Sequence, residues 1–265
     1  MNKALLHPQT VLLCVKKIKN PHLFLLDSLN LMKKPYTLKF KDGYSLKVRP
    51  KNNKRVGDIH VIKDIILYNQ YELKSIPSKG VVIDVGAQIG CFSVPVATNT
   101  DCLIISIEPE KTNYEQLKKN KTLNKLKNIK SYNVALTKEK GFSYFYISQE
   151  NSAGHSLFQD DKKQKYKVKT LSLKDIIDEN KIKKIQYLKL DCEGGEYDIL
   201  LNLSKKYLDK IKTIYLEQHH TPDILNKYAE ESITNYLEKN GFNRKLIDKF
   251  YFKDEGTFYI FKFEK

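Results

Sequence analysis

Tryptophan is absent from this chain and arginine nearly so: Arg49, Arg55 and Arg244 are the only exceptions to a basic complement made otherwise of lysine. Arginine carries the planar fork that grips phosphate with two hydrogen bonds, whereas lysine acts as a point charge. A surface built to read nucleic acid is therefore poorly equipped here. Cysteine is also sparse, and Cys14, Cys91, Cys102 and Cys192 show no CxxC or CxxxC spacing. That excludes a zinc knuckle and a disulfide framework; three of the four lie in or beside apolar runs, which predicts buried, reduced thiols and a cytoplasmic location. With 11 glycines and 8 prolines in 265 residues, collagen-like and low-complexity chains are excluded. Long apolar runs are missing too. No window approaches the length of a membrane span, and the apolar start is broken by His7-Pro8-Gln9 and closed by Lys16 and Lys17, so neither a signal peptide nor a transmembrane segment is expected.

What remains is an ordinary globular composition, 41% apolar and 29% charged, on a chain long enough to bury roughly three quarters of its unfolded surface. Its charge is less ordinary. Lysine and arginine number 47 against 31 acids, a net +16, and residues 1–80 hold 16 bases and 5 acids of that total. Such a balance raises nucleic acid, an anionic membrane or an acidic substrate as partners. A lysine-rich composition without any binding role fits equally well. No oligomeric state is legible.

From residue 81 onward, apolar runs at Val81–Val85, Leu103–Ile107, 129–134, Tyr187–Leu190 and 213–216 alternate with helical patterns at 90–98, 111–126, 172–180, 202–208 and 223–240. This alternation predicts an α/β fold with a mostly parallel sheet covered on both faces. Two β-rich runs, 242–252 and 257–263, add an antiparallel hairpin at its edge. Residues 1–80 read as a small α+β extension: a broken first helix, an apolar helical stretch at 22–32, and strands 36–40 and 44–48 about Lys41-Asp42-Gly43. A further helix follows at 58–71. The stretch 22–32, flanked by Lys33 and Lys34, has the apolar content to lie on a membrane. Its polar face holds only Asp27, Ser28 and Asn30, so packing against the main domain is the reading taken.

Asp84-Val85-Gly86-Ala87-Gln88-Ile89-Gly90 is a strand running through a tight turn into a helix, the context in which a glycine-rich loop holds a nucleotide. A dinucleotide pyrophosphate calls for G-x-G-x-x-G and no acid beside the anion. Here the spacing is G-x-x-x-G, with Asp84 at the strand tip. S-adenosylmethionine lacks a phosphate and carries a sulfonium and an ammonium, so the acid favours that ligand. Glu108 stands at the end of the second strand, where a carboxylate can accept both hydroxyls of a ribose.

These residues resemble the FkbM family of S-adenosylmethionine-dependent methyltransferases. Asp84 through Gly90 look like its first motif, Ile107-Glu108-Pro109-Glu110 with Leu117 and Asn120 like its second, and Tyr132-Asn133-Val134-Ala135-Leu136 like its third. The block Leu188-Lys189-Leu190-Asp191-Cys192-Glu193-Gly194-Gly195-Glu196 is similar to its most distinctive element, and Ile214-Tyr215-Leu216-Glu217 matches its last strand. The likeness covers roughly residues 36–263; Gln88 stands where the family usually has Asn. It implies a Rossmann-like class I methyltransferase fold with a seven-stranded sheet over residues 81–265, residues 1–80 forming a cap on the substrate side. It further implies that Asp84, Gly86, Ala87 and Gly90 line the methionine part of the cofactor, Glu108 the ribose, and Asn133 and Ala135 the adenine.

Methyl transfer to a hydroxyl is an in-line displacement that needs alignment, proton removal and exclusion of water. By the two-residue strand period, Lys189, Asp191 and Glu193 share a face, either as a structural ion pair or with Asp191 and Glu193 at the acceptor. Of the histidines, His219, on one face with Glu217, is preferred as a base over the loop residue His155. Asp191, Glu217 and His219 are the set that would hold a divalent ion, although no spacing demands one. The expected enzyme is an O-methyltransferase for a sugar, glycan or small-molecule hydroxyl, with an anionic acceptor suiting the lysines. An RNA methyltransferase and an inactive binding module are the alternatives.

Overall fold

The computed structural model describes residues 6–51, 57–147, 164–192, 194–252 and 256–265. The chain opens with α1 (Pro8–Lys17) and α2 (Pro21–Ser28), each started by a proline whose missing N–H costs nothing at a first helical turn. The hairpin of β1 (Tyr36–Lys39) and β2 (Ser45–Val48) follows, turning through Gly43 at φ +92°. Then α3 (Ile59–Ile62) runs directly into a wider, π-helical turn at Lys63–Leu67.

The main sheet begins with β3 (Val81–Val85), α4 (Ser93–Asn99), β4 (Leu103–Ile107), α5 (Lys111–Leu123) and β5 (Ile129–Tyr132). Next come β6 (Ala135–Leu136), β7 (Gly141–Ile147) and β8 (Gln164–Leu171), a separate three-stranded sheet ordered β6-β8-β7 that the sequence reading did not anticipate. The chain returns through α6 (Leu173–Glu179), capped by a reciprocal Ser172–Asp175 box, to β9 (Tyr187–Leu190). It ends with α7 (Gly195–Leu201), α8 (Lys205–Leu208), β10 (Thr213–His220), α9 (Pro222–Lys227), α10 (Ser232–Lys239), β11 (Asn243–Phe252) and β12 (Gly256–Glu264).

The seven-stranded sheet is ordered β11-β12-β10-β9-β3-β4-β5; β10, β9, β3, β4 and β5 run parallel, and β12 is antiparallel to both its neighbours. The expected Rossmann-like architecture with an antiparallel C-terminal hairpin is present. Strand order reverses between β3 and β9, and in open α/β sheets the crevice at such a reversal, outside the carboxyl ends of the strands, is where ligands bind.

Both faces are covered, which explains why the central strands read as unbroken apolar runs. Ile83, Ile105, Leu188, Ile214 and Leu216 pack against the helices of the second half, whereas Val82, Ile104, Tyr187 and Tyr215 join a core shared with Phe24, Leu38, Leu46 and Ile62 of the N-terminal extension. The extension thus contributes to the sheet's own core. Several element boundaries differ from expectation: the helix expected at 22–32 ends at Ser28, that at 58–71 ends at Leu67, and that at 90–98 starts at Ser93. Strand 129–134 stops at Tyr132 and the chain passes to the small sheet; the helix expected at 202–208 is the shorter α8, and α7 before it was not anticipated. The helix over 223–240 is split at Tyr228, and the last parallel strand runs on to His220. None of the four cysteines is paired: Cys14, Cys91 and Cys102 are buried and Cys192 is half-buried. Among the described residues no helix is long and apolar enough to cross a membrane.

Candidate active site

The glycine loop follows β3 at the reversal point. Gly86 has φ +77°, and a Cβ placed there would overlap the carbonyl oxygen of Asp191, so no other residue fits. Gly90 has φ +93°, with Leu117 and Val94 crowding the same direction. Gln88 also adopts a left-handed backbone, φ +49°; its Nε2 is buried without a hydrogen-bond partner among the described residues, an orphaned donor beside the loop. Glu108, at the tip of β4, is turned into this turn: its two oxygens accept the backbone N–H groups of Gln88 at 2.8 Å and Glu110 at 2.9 Å. Burial pushes the Glu108 carboxyl up to about 7. Asn133 reaches the same tip, donating to the carbonyls of Glu108 and Pro109, while Ala135 is buried at the start of β6.

Asp84 departs from expectation. It is wholly buried and does not offer a free carboxylate at the loop. The pairing of β3 with β9 sets it opposite Lys189, whose ammonium lies 3.2 Å from its Oδ1, and Ser93 donates to its Oδ2 at 2.6 Å. A bare carboxylate in an apolar strand is too costly, and the neighbouring strand supplies the counter-charge. The same ammonium donates to the Gly86 carbonyl at 3.0 Å and lies 3.4 Å from Asp191, tying the loop to the end of β9. Burial alone would lower the Lys189 pKa, but Asp84 and Asp191 hold it above its ordinary value.

Asp191 sits just past β9 rather than within it, and Glu193 lies outside the described residues, as does His155 with its loop. Opposite Asp191, on β10, stand Glu217 and His219; one ligating atom from each of the three falls within 4.8 Å of the others. His219 is buried and oriented by Glu196 of α7, whose Oε1 lies 2.9 Å from the ring Nδ1 and accepts the His219 backbone N–H at 2.9 Å. The ring Nε2 is 3.8 Å from Glu217. Burial, reinforced by Asp191, pushes the Glu217 carboxyl up to about 7.

Sequence reasoning missed what closes this cluster from above. Tyr71, just after the helical segment of the extension, donates to Glu217 at 2.9 Å and reaches Asp191 at 3.2 Å, while Gln70 donates to Glu217 at 3.2 Å. Edge-to-face contacts with Phe92 and Tyr215 fix the Tyr71 ring, and its carbonyl accepts from Tyr187. No local motif marks Tyr71. Glu196 does lie in the strand-four block, but only the fold reveals that it faces a histidine.

A cluster of base candidates against a glycine loop, at the reversal point of a parallel sheet, is the arrangement of a group-transfer enzyme. The family model that matches residues 84–244 describes a methyltransferase FkbM domain. The chain belongs to the FkbM methyltransferase family. Methyltransferase 1 of Beauveria bassiana (strain ARSEF 2860) is 21% identical over 201 residues, spanning 68% of this chain and 80% of that protein. Methyltransferase sdnD of Sordaria araneosa is 23% identical over 215 residues, 69% and 81% of the two chains. Among solved structures, M. jannaschii TYW2 in complex with AdoMet aligns over 88% of each chain at 17% identity and a TM-score of 0.43. The likeness to FkbM methyltransferases expected from the motifs is borne out, and with it methyltransferase activity.

Proposed function

We propose that this FkbM methyltransferase transfers a methyl group from S-adenosylmethionine to a hydroxyl of a sugar, glycan or other small molecule. The observation that carries this reading is Glu217, a carboxylate whose pKa is pushed up to about 7, within 3.8 Å of His219 and beside Asp191, whose backbone carbonyl abuts Gly86 of the glycine loop. Gly86, Ala87 and Gly90 would line the methionine part of the cofactor, Glu108 the ribose, and Asn133 and Ala135 the adenine. The orphaned Gln88 amide fits a ligand carboxylate. Asp84 acts through Lys189, holding the loop in place. Bound S-adenosylmethionine supplies an electrophilic methyl on a positively charged sulfur.

Glu217 is the proton acceptor in this scheme, since a base is most effective when its pKa lies near the working pH. Tyr71 and Gln70 hold its carboxylate in place, and His219, fixed by Glu196, passes the proton on. A cavity of about 540 Å³ opens beside Gln70, between the extension and the β11 strand, with Asp64, Tyr68, Asp248 and Phe250 in its wall. Carboxylates for hydroxyls and half-exposed aromatic rings for the apolar faces of a sugar suit a polyhydroxylated acceptor. In this reading residues 1–80, which supply part of that wall, form the substrate-side cap.

Calorimetric titration with S-adenosylmethionine tests the cofactor site, with Glu108→Ala expected to abolish binding; tight NAD binding overturns it. Transfer of labelled methyl into a panel of glycans, lipids and RNA tests the acceptor. Label in RNA, with binding that weakens steeply as salt rises, would establish the RNA reading instead.

One observation favours a second version of the chemistry. Asp191, Glu217 and His219 can meet one ion, and the Glu196 carboxylate behind the imidazole is the usual companion of a ligating histidine. A divalent ion held there would acidify a bound hydroxyl. Activity lost on dialysis against a chelator and restored by magnesium or manganese supports it; unchanged activity leaves Glu217 as the base.

A further inference from the structure

The outward sides of α1 and α2 are apolar where a helix on a protein surface is normally polar. On α1, Thr10 and Cys14 are buried, and the opposite side presents Leu12 and Val15 at 53% and 48% exposure. On α2, Phe24, Asp27 and Ser28 are buried, and the outward side presents Leu26 and Leu29; Leu31, just beyond, is 60% exposed. More than a third of the exposed large hydrophobics among the described residues thus fall between Leu12 and Leu31. Single exposed leucines need no explanation, but a concentration on two consecutive helices does.

Along this part of the chain the charge has one sign as far as the exposed Asp42, which faces Lys17. Residues 1–41 contain eight lysines and a single acid, Asp27. Asp27 is 2% exposed and accepts a hydrogen bond from Tyr36 at 2.7 Å, so it contributes nothing to the surface. Lys16, Lys19, Lys33 and Lys34 are exposed at the helix ends. Outward leucines interleaved with exposed lysines, and no exposed acid among the described residues 6–41, is the pattern of an element that lies in the headgroup region of an anionic bilayer. Lysine is well suited to this task and poorly suited to bidentate phosphate recognition, which separates a lipid surface from a nucleic acid.

We propose that α1 and α2 form a docking surface for an anionic lipid membrane, with the leucines entering the headgroup layer and the lysines meeting its phosphates. The site does not depend on the identity of the methyl acceptor. His7, which caps α1, also lines the cavity beside Gln70, so the docking surface and that cavity adjoin.

The test is co-sedimentation of the full chain with vesicles of phosphatidylcholine alone and of phosphatidylcholine with phosphatidylglycerol. Binding is expected only to the second, weakening as salt rises. Replacing Lys16, Lys33 and Lys34 together by Gln should weaken it on the order of 100-fold, at about fivefold per lysine. Leu12→Ser with Leu29→Ser should also weaken it without altering the circular dichroism spectrum. Lys119→Gln, Lys183→Gln and Lys184→Gln together, with the same change in net charge elsewhere on the surface, should leave binding within about twofold. Three results would overturn the proposal: no binding to phosphatidylglycerol vesicles, equal loss in this control, or lysine-dependent binding to polyuridylate that the leucine variants leave unchanged.

Discussion

One carboxylate oxygen of Glu196 serves His219 twice, accepting its backbone N–H and facing its ring Nδ1, both at 2.9 Å. The other oxygen accepts the backbone N–H of Gly194 at 2.8 Å. Glu196 therefore fixes a histidine ring on β10 and the turn after β9 at once, and leaves Nε2 pointing toward Glu217.

Replacing Glu196 by Gln removes the charge that holds the proton on Nδ1. Loss of such an orienting partner costs roughly 10- to 100-fold in activity in comparable sites. The expected outcome is a fall in kcat of that size with KM for the acceptor changed by less than threefold. A change in KM alone would assign Glu196 to binding.

The pH profile should carry the mark of Glu217. The carboxylate must be ionised to accept a proton, so activity should rise with pH through about 7. Tyr71 stabilises the charged form by donating to it, so Tyr71→Phe should move this limb to higher pH. The opposite sign holds for stability. The Glu217 pKa is raised on folding, so its contribution is fully present below the ordinary carboxylate range and is lost as pH rises through about 7. Glu217→Gln should flatten that part of a plot of unfolding free energy against pH, as measured by urea titration.

Gly86→Ala should be severe. The added methyl would meet the Asp191 carbonyl, and the left-handed backbone adds its own penalty, together on the order of 3 kcal/mol. Thermal unfolding should show the loss, and titration should show cofactor binding weakened along with it.

Lys189 and Asp84 offer a double-mutant cycle. Removing one partner of a buried pair typically costs about 3–5 kcal/mol because the other is left uncompensated. Asp84→Asn should fall in that range by urea denaturation, partly offset by the Asp191 charge 3.4 Å from the ammonium. Adding Lys189→Met should recover part of the loss; strict additivity of the two changes would show that the charges do not act as a pair.

Much of the catalytic half was legible because its strands are buried on both sides and its helices carry start signals such as Ser172. Cofactor candidates follow from the same logic, since Gly86 and Glu108 occupy strand ends. The split between α9 and α10 was hidden: Ala229, Glu230 and Glu231 are good helix formers. The break is set by tertiary bonds, with Gln218 donating to the Glu230 carbonyl at 2.9 Å and Tyr228 paired with Asp198. Start signals also failed at α7, which opens on Gly194 and Gly195 and is held by the burial of Tyr197, Ile199 and Leu200. Tyr71 was invisible for a different reason: its partners, Asp191 and Glu217, lie in the far half of the chain, and no local pattern encodes them.

That separation also sets a time order. Tyr71 leaves the ribosome early, yet the carboxylate it steadies belongs to β10, which enters the sheet between β9 and the late-synthesised β12. A chain made only as far as β9 therefore carries Tyr71 and the glycine loop but not Glu217, the proposed proton acceptor.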